Sequence, residues 1–216
     1  GNEFIVNNYT SMNQQHPAIA HIPVGGTRYV VAWASKNEDG SDWGVYAQRL
    51  SGMCTKQGDP FKVNTTTSSI QNQPAIAAAS DGSFVVAWRS LDQDGSSYGI
   101  YAQRYTSAGE ADGGEFKINR ITAAEQTDPS IGFLSDDTLL AGWTTNGEDE
   151  ESTAVKFQHF DANFQTDGHD FMGNIYYRDA QDSTVIVPLP NGEYALIWHS
   201  VGQDESAGAV VTRVLP

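Results

Sequence analysis

One cysteine in 216 residues, Cys54, excludes an internal disulfide framework, and no Cys/His spacing fits a zinc site. Basic residues are scarce as well. Twelve Lys and Arg stand against 27 Asp and Glu, giving a formal net charge of −15. That balance excludes nucleic acid as a partner, because phosphate binding needs clustered cations. Cations and neutral polar ligands such as sugars are what so acidic a surface tolerates. The chain has no run of 18 apolar residues, so no membrane insertion by a helix is expected. Residue 1 is glycine, so any leader lies outside this stretch and localisation is not read from one. Long helical patterns are missing too. Glycine, at 21 residues, and aromatics, at 11%, are plentiful instead, which favours a turn-rich β protein.

The chain repeats itself. Trp33, Trp88, Trp143 and Trp198 are spaced 55 residues apart, and a common frame surrounds them. Phe4, Phe61, Phe116 and Phe171 open each unit, and Asn7, Asn64, Asn119 and Asn174 follow. Gln14, Gln71, Gln126 and Gln181 always come seven residues after the Asn. Asp39, Asp94, Asp149 and Asp204 lie six residues after each Trp. The four repeats span about 1–57, 58–112, 113–167 and 168–216. Each reads as four short strands, in the second "FKVN", "PAIAAA", "FVVAW" and "GIYAQRY", separated by turn-rich segments.

This pattern predicts an all-β fold, a single four-bladed β-propeller of four-stranded antiparallel blades. With "PAIAAA" innermost and the Phe strand outermost in the preceding blade, the N-terminal "EFIV" completes the last blade beside "GAVVTRVL" and closes the ring. Small inner-strand residues, Ala18 and Ala20, Ala75 and Ala77, Ser130 and Gly132, suit a crowded axis.

The hairpins after the Trp strands gather the charge. They hold Glu38, Asp39 and Asp42; Asp92 and Asp94; Glu148, Asp149, Glu150 and Glu151; Asp204 and Glu205, eleven carboxylates against one cation, Lys36. "DQDGSSYG" admits three readings. Gly-Ser-Ser-Tyr-Gly has the spacing of a hydrolase nucleophile elbow, but the segment leads into a strand, Ser97 has no histidine in register, and its equivalents are Asp42, Ser152 and Ala207. Asp-x-Asp-Gly suits a hard cation, which makes Asn37, Asp39, Asp42, Asp92, Asp94, Asp149 and Asp204 candidate Ca²⁺ ligands. The same residues also make a hairpin turn whose Asp bonds to its own backbone.

A similar choice applies to the amides. Asn7, Gln14, Asn64, Gln71, Asn119, Gln126, Asn174 and Gln181 either tie loops to backbone or form a ring that binds sugar hydroxyls, with Trp43 and Tyr98 as stacking faces. The four repeated Trp read as packing residues. The five histidines occupy unrelated repeat positions and make no motif.

"GGEFKINRITAAEQTDPSI" and "PAIAAASDGSFVVAWRSLDQDGSSYGIYAQRYTSAGEADGGEF" resemble the tandem repeats of large secreted bacterial adhesin-type proteins that carry calcium-associated RTX or cadherin-like modules. The resemblance implies an extracellular or cell-surface location and a surface or adhesive role. The favoured reading is a non-enzymatic binding module presenting a calcium-assisted loop face to a glycan or cell-surface protein, and complete strand closure makes a monomer, or one module of a longer chain, the simpler state. The alternatives are a polysaccharide-acting enzyme on a propeller scaffold and a structural subunit of a surface assembly. An enzyme requires one repeat to differ chemically at its inner loops.

Overall fold

The computed structural model describes residues 2–147, 152–204 and 207–215. Among the described residues fifteen strands and no helix form four antiparallel sheets, as the repeat pattern predicts. The first sheet runs β1 (Gln14–His21), β2 (Tyr29–Lys36), β3 (Trp43–Leu50), β4 (Lys56–Lys62). The second runs β5 (Gln71–Ala78), β6 (Phe84–Leu91), β7 (Tyr98–Tyr105), β8 (Phe116–Lys117). The third consists of β9 (Gln126–Phe133), β10 (Leu139–Asn146), β11 (Thr153–Phe160) and β12 (Thr166–Met172), and the fourth of β13 (Gln181–Pro188), β14 (Tyr194–Ser200) and β15 (Ala209–Leu215). The order inner strand, Trp strand, hairpin partner, Phe strand matches the phase read from the sequence.

Two expectations need correction. The Phe strands end earlier than "FKVN" suggested, and two of them begin earlier: β4 starts at Lys56 and β12 at Thr166, β4 stops at Lys62, and Val63 N keeps a bond to Val45 O as the next loop starts. The fourth sheet has three strands, and residues 2–13 form no strand, so no ladder involving the N-terminal segment completes it. In that segment Asn7 Nδ2 instead donates to Tyr9 O at 2.7 Å and to Gln14 Oε1 at 3.3 Å, while Phe4 and Ile5 are exposed.

By packing, the chain divides into two compact units, residues 1–90 with 102–116 and residues 91–101 with 117–216. In unit 1 the buried apolar residues include Val30, Ala32 and Trp33 of β2, Val45 and Ala47 of β3, Phe84, Val86 and Trp88 of β6, and Ala102 and Tyr105 of β7. Tyr105 stacks on Phe84 at 5.1 Å, lies 5.2 Å from the Phe61 ring, and donates its hydroxyl hydrogen to Val63 O at 3.2 Å. An aromatic whose polar tip finds a buried acceptor contributes both area and orientation.

Unit 2 is centred on Leu140, Val155, Phe157, Ile186, Tyr194, Leu196 and Trp198. Phe157 fits only because two neighbours lack side chains. A Cβ on Gly142 would lie 2.5 Å from its ring, and one on Gly173 would lie 2.3 Å away. At the rim of this core His159 Nε2 and the Tyr194 hydroxyl are 2.9 Å apart, and the imidazole stacks on Phe171. Burial pushes the His159 pKa below the ordinary 6.5, outweighing the nearby Asp167 and Asp136 carboxylates that favour the cation.

A sign follows from this. The unfolded chain takes up a proton on His159 as pH falls through the ordinary histidine range, whereas the folded chain resists it. Stability is therefore whole above about pH 7 and declines as pH drops towards the folded-state value. Urea unfolding between pH 8 and 5 should show a steeper loss in the wild type than in His159→Gln; equal slopes would refute this account.

Candidate functional site

Each inner strand opens with a bulge. Gln15 pairs with Ala34 and Ala18 with Ala32, so His16 and Pro17 together oppose Trp33. The same skip sets Gln73–Pro74 against Trp88, Asp128–Pro129 against Trp143, and Ser183–Thr184 against Trp198. The first residue of every bulge has left-handed backbone: φ is 54° at His16, 51° at Gln73, 50° at Asp128 and 58° at Ser183. None of these is glycine, so each position is strained, and strain held at a bulge re-aims a side chain. A sequence signal for it exists, since a proline inside three of the four inner-strand runs is tolerated at bulges rather than in regular central ladder.

At these bulges the fourfold repetition breaks. The Gln that precedes each bulge is invariant, and so is the Trp that faces it. The residues at the bulge are Gln15-His16, Asn72-Gln73, Thr127-Asp128 and Asp182-Ser183. In unit 1, Arg89 Nε donates to Asn72 Oδ1 at 2.7 Å, across the β5–β6 ladder.

In unit 2 the equivalent cross-strand pair is ionisable. His199 Nδ1 lies 3.2 Å from Asp182 Oδ1, and both side chains are about two-fifths exposed (42% and 38%). The adjoining strand presents Asp128, half-buried, whose Oδ2 accepts from Thr127 Oγ1 at 3.2 Å. Thr184 Oγ1 donates to Asp128 O at 3.3 Å, and Ile186 N to Ser130 Oγ at 3.1 Å. These bonds fix β13 beside β9, so Asp128 and Asp182 come from the same end of neighbouring strands. Two carboxylates and an imidazole on such a scaffold are the groups that general acid–base chemistry uses. His199 also needs its neighbour to be small, because a Cβ on Gly208 would lie 2.5 Å from Nε2. Asp128, Asp182 and His199 were not singled out from the sequence, since each is a departure from the repeat rather than part of it.

The residues that the sequence did single out lie elsewhere. Asn64 Oδ1 accepts Val45 N at 2.7 Å, while its Nδ2 donates to Thr66 O and to Gln71 Oε1. Asn119 does the same with Ile100 N, Ile121 O and Gln126, and Asn174 with Val155 N, Tyr176 O and Gln181. These six amides are at most 2% exposed. Asn7 and Gln14 are more open and line a unit 1 cleft of about 330 Å³ with Phe4, Ile5, Gln15 and Trp33. Trp43 is half-buried with the Lys36 ammonium 5.5 Å from its ring centre, and Tyr98 is half-buried.

In the acidic hairpins Asp39 Oδ1 accepts Ser41 N and Asp94 Oδ1 accepts Ser96 N. Asp42 is 3.5 Å from Lys36 Nζ. Asn37, Asp92 and Asp204 are exposed, Asn37 and Asp92 with φ near 60°, and Asp149 lies outside the described residues. Among the described residues no three His, Cys, Asp or Glu side chains converge as metal ligands.

No family model and no curated protein matches the chain. Solved structures do resemble it in fold. An endo-arabinase from Bacteroides thetaiotaomicron aligns over 99% of this chain and 79% of its own, at 14% identity and a TM-score of 0.63. A thermostable family-43 glycoside hydrolase aligns over 93% and 70%, at 11% and 0.58. An α-L-arabinofuranosidase from Lactobacillus brevis aligns over 94% and 72%, at 10% and 0.56. The arrangement of antiparallel sheets is thus propeller-like. The comparison corrects the reading as a secreted calcium-associated adhesin repeat and as a non-enzymatic module, because the similar folds belong to glycoside hydrolases. The physical reason is that the repeated Phe, Asn, Gln and Trp serve packing and loop closure, so matching them reports architecture rather than role.

The amide clamp gives a measurable expectation. Asn119→Ala strands the buried Ile100 N–H and the Gln126 carbonyl, and an unsatisfied buried group costs about 1–3 kcal/mol. Denaturant unfolding should register a loss of that size, and a change below about 0.5 kcal/mol would show that the clamp is dispensable.

Proposed function

We propose that the chain is a glycoside hydrolase acting on a pentose-containing polysaccharide of the arabinan or xylan class. The observation that carries this reading is the break in the repeat in unit 2, which supplies Asp128 and Asp182 at the inner-strand bulges where the first two repeats have Gln15-His16 and Asn72-Gln73, and His199 on the facing Trp strand where they have Ala34 and Arg89. Glycosidic cleavage uses two carboxyl groups. One protonates the leaving oxygen, and the other, ionised, activates water or attacks the anomeric carbon. Asp128 and Asp182 fill these roles, and His199, bonded to Asp182, orients that carboxylate. The likeness in fold to an arabinase and an arabinofuranosidase supports the choice of polymer. A polymer too large to enter a cell places the reaction outside it.

The test is reducing-sugar release from linear arabinan and from xylan, and release from aryl α-L-arabinofuranoside. Asp128→Asn and Asp182→Asn should each lower kcat by about 10²-fold or more with the unfolding midpoint unchanged. No release by the wild type from any of these, or equal release by the double variant, would overturn the proposal.

A further inference from the structure

The repeat breaks once more in unit 2, in the loop that leads from β12 to β13. Thr10, Thr67 and Thr122 stand three places after Asn7, Asn64 and Asn119, and the fourth repeat has Tyr177 in that place instead. Two residues on, Asp179 takes the place of Met12, Ser69 and Ala124. Among the described residues Tyr177, at 54%, is the most exposed of the Phe, Tyr and Trp rings, and Ile175, at 75%, is exposed two residues before it. Trp43 and Tyr98, the rings that repeat position marks for stacking, are half-buried by comparison.

The loop that carries this ring is fastened on both sides of it. Asn174 Nδ2 donates to Tyr176 O at 2.9 Å, and Gln181 Nε2 donates to Arg178 O at 2.8 Å and to Asp179 O at 3.0 Å. Tyr176 donates its hydroxyl hydrogen to Gly202 O at 3.3 Å, and a Cβ on Gly202 would lie 2.6 Å from Asp179 Oδ2. Val201 N donates to Ala180 O at 2.9 Å, which continues the ladder that pairs Gln181 with Ser200 and Asp182 with His199. The loop is thereby seated at the same end of the sheet as that half-exposed ionisable pair.

A ring left in water gains nothing from folding, so its placement on a fixed loop beside Asp182 asks for a ligand. Tyrosine offers a broad, flat contact with few side-chain torsions to immobilise, and a pinned backbone removes much of the remaining ordering cost. The C–H groups on one face of a sugar ring suit the negative face of an aromatic ring, and the hydroxyls at its edge need polar partners. Asp179, exposed on the same loop with φ 59°, supplies carboxylate oxygens for them.

We propose that Tyr177 is the stacking platform of a sugar subsite beside Asp182, with Asp179 accepting hydroxyl hydrogens from the pentose unit held there. This inference rests on the glycoside hydrolase reading of Asp128 and Asp182, and it assigns where the polymer is gripped. Tyr177 binds substrate and transfers no proton.

The test uses the whole chain carrying Asp128→Asn, so that a bound oligosaccharide is not consumed, titrated calorimetrically with xylohexaose and with linear arabinohexaose. Tyr177→Ala should weaken binding of the recognised oligosaccharide about tenfold. Tyr177→Phe keeps the ring and should bind as the parent does, a rescue that mere damage to the loop would not show. In the otherwise unaltered chain Tyr177→Ala should raise KM for the polymer with kcat and the unfolding midpoint unchanged. Equal binding by Tyr177→Ala, or no binding of either oligosaccharide, would overturn the subsite even if the wild type releases sugar. Binding that depends on Tyr177 in a chain whose wild type releases no sugar would sink the hydrolase reading and leave the subsite standing.

Discussion

A pair of buried amides sets the terms for the rest of this structure. Where the chain leaves a sheet, an Asn side chain accepts the N–H of a hairpin-partner strand and donates to a Gln seven residues on, at Asn64–Gln71, Asn119–Gln126 and Asn174–Gln181. Loops that run between sheets without a ladder of their own would strand their backbone groups inside the protein. The clamp satisfies them, and it fixes the angle at which the next inner strand begins. Gln71, Gln126 and Gln181 are the first residues of β5, β9 and β13, so the clamp and the bulge two residues later act as one joint.

That joint separates two kinds of position. The Gln and the Trp opposite the bulge are fixed by burial, with the four Trp no more than 4% exposed. The bulge residue is held in a strained conformation, while its identity and its predecessor's change from repeat to repeat, with Asn72 bonded to Arg89 and Asp182 to His199. His16, Gln73, Asp128 and Ser183 share a backbone state and no chemistry. The acidic hairpins behave in the same way. Their Asp–Gly turn geometry recurs, while the charge set around it changes from Glu38 and Asp39 to Gln93, Asp94 and Lys117.

Much of this was legible in the sequence. The period, strand order and phase followed from Trp, Phe, Asn and Gln, because those residues are repeated for packing reasons and repetition survives in a one-dimensional text. The bulges were not seen, since a two-against-one register break shifts no side-chain type and the prolines were read as ordinary strand residues. Asp128, Asp182 and His199 were passed over for the reason that makes them chemically interesting, namely that they occur once each. The N-terminal strand was expected from symmetry alone, and symmetry does not say whether Phe4 and Ile5 form a ladder. The adhesin likeness rested on the repeated frame, which reports a way of building sheets and nothing about what they carry.

The bulge has a consequence for how such a chain can change over generations. After a segment is copied four times, most substitutions are filtered by the core, but the side chains at the bulge project from a backbone kink that Trp and Gln already hold in place. A new residue there meets the same scaffold provided that it accepts a left-handed backbone, as His16, Gln73, Asp128 and Ser183 all do. Copies of one segment can therefore come to differ in chemistry at these few sites while the indole facing each kink stays where the packing holds it.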